Sequence, residues 1–186
     1  ADYTQPIELP DADIPRAERR AIYFSGSSIG NFTPDEAERF LSHATQLAGA
    51  GGAMLIGVDL KKDPAVLHAA YNDEQGITAA FNLNLLQRMN RELGANFDIA
   101  QFAHRAFYST EAGRIEMHLA SRREQEVKLA QRTFAFRAAE TIHTENSYKY
   151  SIGEFQELAR RAGFRPEHYW LDAFQRFSVH YLTVPD

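Results

Sequence analysis

One segment near the start of this chain constrains its fold more than any other. Residues 21–60 run as a short apolar stretch (AIYFS), a loop with two glycines (GSSIGN), a helix with a marked beginning, and a second apolar stretch (AMLIGVDL). Apolar runs of this length suit the buried strands of a parallel sheet. Between them Thr33 is a good N-cap, Pro34 fits the first helical position, and Glu36 completes a capping box. Ala37, Phe40, Leu41, Ala44, Leu47 and Ala48 recur at helical spacing, and Gly49, Gly51 and Gly52 end the helix. Two parallel strands joined through a helix need a right-handed crossover. The fold class is therefore α/β.

The pattern changes after Lys61-Lys62-Asp63-Pro64. A short helix is expected over 65–70 and a longer one over 77–93, closed by Gly94, with Phe81, Leu85, Met89 and Leu93 on one face. Residues 114–121 alternate like a strand, and 126–130 and 133–137 read as further strands forming a meander with it. The end of the chain is again regular. Ser151 and Glu154 form a second capping box, Phe155, Leu158, Ala159 and Ala162 share a face, and Gly163 stops the helix. Strands at 168–173 and 176–184 follow, joined by a tight turn. Three segments result: 1–62, a partial core; 63–149, a domain of different character; and 150–186, a helix and antiparallel strand pair that complete the first sheet.

Composition removes several function classes. With 186 residues and 44% apolar side chains the chain can bury a real core. The net charge of -5 and the scattered basic pairs, each flanked by acids, argue against nucleic-acid binding. The absence of cysteine excludes disulfides, thiolate metal sites and a Cys nucleophile. No apolar run reaches membrane-span length and no signal peptide is present, so a cytoplasmic protein with no membrane partner is expected. The opening Ala1-Asp2-Tyr3, without an initiator Met, reads as though something upstream has been removed.

Three places carry candidate chemistry. The 26–31 loop follows a parallel strand, where open α/β sheets bind ligands, and Asn31 offers a donor and an acceptor there. Its glycines would let backbone approach a ligand, although an ordinary strand-to-helix turn explains them equally well. Tyr71 and Thr78 lie by the start of a helix, a position that favours an anionic group; simple capping by Asp73 or Thr78 is the alternative. In the 143–150 stretch (HTENSYKY), Glu145 and Ser147 point to one side of an extended chain and can grip an imidazole N–H; a solvated strand edge is the alternative. His104, His118, His143 and Glu116 offer metal-ligating atoms, but their spacing matches no standard zinc pattern, and no metal is expected.

The segments YFSGSSIGNF, LIGVDLKKDP, AYNDEQGITAAFNLNLLQRMNREL, RIEMHLAS and HTENSYKY, in this order, resemble the L-histidine Nα-methyltransferases of ergothioneine biosynthesis and their relatives. The resemblance covers nearly the whole chain. It implies the C-terminal part of a class I, Rossmann-like methyltransferase sheet with an inserted α+β substrate-binding domain. The cofactor implied is S-adenosyl-L-methionine and the substrate L-histidine. It implies that Asn31 and Tyr71 hold the amino acid's carboxylate and amino ends, with Thr78 near the amino group. Glu145 and Ser147 would grip the imidazole, Met117 would wall the pocket, and Asp2 with Tyr3 would flank the cofactor's adenine. No residue stands out as a general base, so orientation of a neutral amine in line with the methyl donor is the expected mode of catalysis, with proton loss to water.

The family's N-terminal half, with its glycine-rich cofactor loop, has no counterpart in this sequence. The isolated chain is therefore expected to be inactive and to self-associate through a bare sheet edge. A methyltransferase for another amino acid or small amine, and a binding module without chemistry, remain as alternatives.

Overall fold

The structure, a computed structural model, describes Gln5, Ile7 and residues 19–186. Its strands are β1 (Ala21–Phe24), β2 (Ala53–Asp59), β3 (Phe102–Ser109), β4 (Arg114–Ser121), β5 (Gln125–Leu129), β6 (Arg132–Phe136), β7 (Thr141–Tyr148), β8 (Arg165–Leu171) and β9 (Phe177–Thr183). Its α-helices are α1 (Pro34–Ala48), α2 (Pro64–Tyr71), α3 (Ile77–Leu93) and α4 (Ile152–Arg161). The chain divides into two compact units, residues 1–61 with 147–186, and residues 62–146.

The first unit contains a four-stranded sheet in the order β1-β2-β9-β8. β1 runs parallel to β2, as the strand–helix–strand pattern requires, and β9 joins β2 and β8 antiparallel. Both capping boxes form. Thr33 accepts from the Glu36 amide and Ser151 from the Glu154 amide, and each glutamate closes back on the cap's own N–H. Ala37, Leu41 and Ala44 of α1 and Phe155, Leu158 and Ala159 of α4 share one core cluster with Met54, Ile56, Val58 and Leu182. Each such Leu, Ile or Phe contributes about 1.5–3 kcal/mol on full burial. Thr45 ties the helices together by donating to the Ala162 carbonyl at 2.9 Å. Asp172 builds the β8–β9 turn by accepting from the amides of Phe174, Arg176 and Phe177. One expectation fails here. β1 is not a buried strand, because among the described residues it lies at the edge of the sheet and leaves Tyr23 73% exposed.

The second unit has a three-stranded sheet, β3-β4-β7, and a separate β5–β6 hairpin. β4 alternates strictly, burying Ile115, Met117, Leu119 and Ser121. Three readings are corrected. β3 was not anticipated, since His104 and Arg105 interrupt its apolar pattern. β5 and β6 do not continue the sheet of β4. Ser121 bonds the Arg123 carbonyl and receives Gln125, which turns the chain away into its own hairpin, with Ala130 at φ +53° in the hairpin's turn. Helix α3 has the expected limits, with Gly94 left-handed at its end, but the face that Phe81, Leu85, Met89 and Leu93 share is not the one it buries. Phe81 (64%), Leu85 (40%) and Leu93 (59%) are exposed, while Asn82 and Leu86 are buried and Leu83 and Met89 pack beside them. The helix is turned by about one residue, roughly 100°, because Asn82 is anchored to the sheet beneath it.

Candidate functional site

In the second unit, α3, β4 and β7 enclose a recess of about 170 Å³ lined by Phe81, Asn82, Leu85, Met117, Thr144 and Glu145, with Asn84 and Arg88 at its side. This is below the roughly 300–1,000 Å³ of drug-sized ligand sites, and suits a single side chain. The exposed stripe of α3 thus has a use: Phe81 and Leu85 form one wall, and buried Met117 forms another. Thr144 donates to the Met117 carbonyl at 2.9 Å and fixes the two strands at this point. Glu145, half-buried, brings a carboxylate to the apolar walls. Two residues chosen from sequence, Met117 and Glu145, therefore meet in one recess.

Tyr71 is the last residue of α2 and packs against the cluster of Leu67, Ala106, Ile115 and Met117. Its carbonyl accepts from His104 Nε2 at 2.8 Å. Thr78 stands in the first turn of α3, where the Asp73 carboxylate receives the Ile77 and Thr78 amides, each at 2.8 Å. The Thr78 hydroxyl, first, and these amides hold the Asp73 carboxyl down to about 2. The anion at this helix start is thus Asp73 itself.

Asn31 and Ser147 belong to the first unit. Asn31 is exposed at the end of a 3-10 turn, Ser28–Asn31. The preceding Gly30 is needed by the chain rather than by a ligand, since a Cβ there would lie 2.7 Å from the Tyr148 carbonyl oxygen. Ser147 is buried just beside it, and its hydroxyl receives Lys149 Nζ at 2.8 Å. Lys149, 2% exposed, also pairs with Asp59 at 2.7 Å, and the Asp59 amide donates to Ser27 at 2.8 Å. The end of the HTENSYKY stretch is therefore core, not a solvated edge: Ser147, Tyr148, Lys149 and Tyr150 are all buried.

Glu116, His118 and His143 come together on β4 and β7, their ligating atoms within 4.8 Å of one another. The rings of His118 and His143 stack at 4.5 Å and 13°. A metal must lie in the plane of each imidazole it binds, and near-parallel stacked rings share no such point, so one ring would have to turn. Glu116 is already engaged by Arg114 at 2.7 Å and His118 at 3.2 Å. Burial pushes its carboxyl up, but these hydrogen bonds outweigh that and leave it below the ordinary range. Phe107 continues the stack on the other side of His118. A second recess, of about 340 Å³, lies in the first unit and is lined by Gln5, Phe32, Glu36, Arg39, Phe40 and His43, none of them chosen from sequence.

Among the described residues the glycine loop after β1 offers S-adenosyl-L-methionine no open cradle. The loop is filled by its own neighbour, with Gly30 against Tyr148. Asp2 and Tyr3, expected beside the adenine, lie outside the described residues.

A family profile described as histidine-specific methyltransferase, SAM-dependent, matches residues 1–184. The histidine N-alpha-methyltransferase of Mycolicibacterium smegmatis is 41% identical over 168 residues, 89% of this chain and 52% of that protein. Its namesake in Mycobacterium tuberculosis is 39% identical, over 90% of this chain and 53% of that protein. Ergothioneine biosynthesis protein 1 of Neurospora crassa is 35% identical over 89% of this chain and 19% of its own length. The chain thus spans about half the length of the first two relatives. Among solved structures, the CcbJ methyltransferase from Streptomyces caelestis aligns with a TM-score of 0.50 and 12% identity, over all of this chain and 62% of its own. At that identity the likeness concerns the fold alone, and it agrees with the expected class, an α/β portion of a Rossmann-like methyltransferase.

Proposed function

The chain belongs to the family of SAM-dependent, histidine-specific methyltransferases, and from that membership we propose that the protein transfers methyl groups from S-adenosyl-L-methionine to the α-amino group of L-histidine. The observation that supports the substrate most strongly is the recess holding both Met117 and Glu145. A carboxylate among Phe81, Leu85 and Met117 suits a small planar ring that carries an N–H. In apolar surroundings such a contact rejects a ligand lacking the donor, because that ligand displaces water from the carboxylate without returning a hydrogen bond.

In this reading residues 62–146 are the substrate-binding domain. Glu145 accepts from the imidazole N–H and Met117 packs on the ring. Tyr71 and Thr78 serve the amino-acid end of the substrate, with Thr78 held in place by Asp73. Asn31 and Ser147 carry the roles that the resemblance implies for them, orienting the amino acid and serving the second imidazole nitrogen. These residues bind and orient, and none is assigned as a general base. Asp2 and Tyr3 are proposed at the adenine of the methyl donor. The surroundings proposed for the protein are cytoplasmic, with no nucleic-acid or membrane partner; among the described residues no helix is long and apolar enough to cross a membrane.

Steady-state kinetics of Glu145→Ala, in the protein as its gene encodes it, test the reading. The KM for histidine should rise about tenfold or more. An unchanged KM and kcat would remove Glu145 from the substrate. A panel of amino acids and small amines on the same enzyme would reveal a different preferred amine.

A further inference from the structure

One of the other polar residues lining the recess stands apart from Glu145 by its complete burial. Asn82, on α3, is fully buried and lines the recess together with Met117 and Glu145. Its amide nitrogen lies 3.1 Å from the His118 carbonyl and 3.0 Å from His104 Nδ1. The orientation of this amide follows from its neighbours. The Tyr71 carbonyl, 2.8 Å from His104 Nε2, can only accept, so Nε2 carries the proton. His104 Nδ1 is then an acceptor, as the His118 carbonyl is. Both demand a donor, and the Asn82 NH2 group supplies its two hydrogens to them. The oxygen Oδ1 remains, buried and without a hydrogen-bond partner among the described residues.

A buried amide oxygen without a partner weakens a fold, and natural structures tolerate few of them. Leucine would fill the same volume with no such loss. Here the amide is held by groups on α2, β3 and β4, beside a recess that combines the apolar walls of Phe81, Leu85 and Met117 with the Glu145 carboxylate.

We propose that Asn82 is a further ligand-contacting, specificity-determining residue, whose side-chain oxygen accepts a hydrogen bond from an N–H of the bound side chain. The inference rests on the reading of this recess as the substrate side-chain site. It places an uncharged acceptor beside Glu145 at the same ring N–H, so the recess selects planar groups that carry an N–H there and rejects rings of equal shape without it. His104 acts through Asn82 as a positioning residue, because its tautomer fixes which end of the amide is left over.

The test uses the protein at its natural length with 13C-labelled asparagine and glutamate, titrated with L-histidine. The Asn82 side-chain carbonyl should shift saturably, with the same Kd as the Glu145 carboxyl. In addition, Asn82→Leu should weaken histidine binding about tenfold or more while leaving the affinity for 2-thienylalanine, a ring of similar shape without an N–H, unchanged. A Glu145 signal that moves while Asn82 stays still overturns the Asn82 assignment alone. Equal weakening of both ligands overturns it too, as a packing effect. If neither signal responds to histidine, both this assignment and the substrate reading fall. The carbonyl shift is read on the unmodified protein, so the proposal stays testable even where the leucine variant does not fold.

Discussion

Among the described residues, each unit has a completely buried polar side chain with one atom that lacks a hydrogen-bond partner, His180 in the first and Asn82 in the second, and the two cases differ instructively. In the first unit His180 is fully buried, with Nε2 2.9 Å from Ser178 and Nδ1 unpaired. The rings of Phe155 and Tyr169 pack around it, at 4.6 and 5.9 Å. Burial lowers its pKa to about 4, so the ring stays neutral and behaves as part of the core. In the second unit Asn82 is equally buried, but it borders a recess that contains a carboxylate. An unpaired atom walled in by rings is a cost of packing, whereas one beside a recess with Glu145 is an opening for a ligand. On this view the first unit is largely scaffold, apart from the roles proposed for Asn31 and Ser147, and the recess of the second unit grips the substrate's side chain.

The largest expected effect tests the scaffold half of that contrast. Lys149→Met removes the ammonium from a pair in which the Lys149 side chain is only 1% exposed, and leaves Asp59 without it. Loss of one member of a buried pair costs about 3–5 kcal/mol. Urea unfolding would read this as a large drop in midpoint, and a change below about 1 kcal/mol would show that the pair is not structural.

Next comes pH. His180 has a folded pKa of about 4 against an ordinary 6.5, so the unfolded chain binds the extra proton first. Its contribution is complete above pH 6.5 and is lost as pH falls towards 4, on the order of 3 kcal/mol in all. Urea midpoints measured across that window should fall for the native protein and flatten for His180→Phe. Asp73 acts at lower pH. Its stabilising bonds at the start of α3 are present above pH 3.8 and lost as pH falls through about 2, so loss of amide protection at Ile77 and Thr78 should follow the His180 step.

The contrast sharpens with a change that affects binding and not stability. Glu145→Gln should alter unfolding by no more than about 0.5 kcal/mol, as is usual away from the core, while histidine affinity falls. A comparable loss of stability would make Glu145 a structural residue and erase the difference between the units. The smallest effect on stability is expected at Tyr23, exposed on edge strand β1. If that edge pairs with another chain, Tyr23→Lys should reduce self-association in sedimentation with almost no change in unfolding.

The capping residues made the helices readable. Thr33 with Glu36, and Ser151 with Glu154, mark two starts without ambiguity, and Gly94 marks an end. Which face of a helix is buried is a separate matter. Phe81, Leu85, Met89 and Leu93 form a correct apolar stripe by spacing, yet the neighbouring stripe through Asn82 and Leu86 faces the sheet. Periodicity gives a direction only when the polar residues are on the outside, and Asn82 is inside because His104 and the His118 carbonyl receive it. For the same reason β3 was missed, since His104 breaks the alternation that would have marked the strand. Met117 and Glu145, which meet in the recess, are suggested by the family resemblance. Asn82 is not, because an asparagine within a helix reads as solvated. Its one sequence signal is its place one turn before Leu86, on a face that the apolar pattern assigns to solvent.

Methyl NMR tests the central claim most directly. With saturating L-histidine bound to the protein at its natural length, as confirmed by calorimetry, the methyl resonances of Met117 and Leu85 should shift, while those of Leu41 and Ile56 in the scaffold core stay in place. Bound histidine that leaves Met117 and Leu85 unmoved would contradict the assignment of substrate choice to the recess of the second unit.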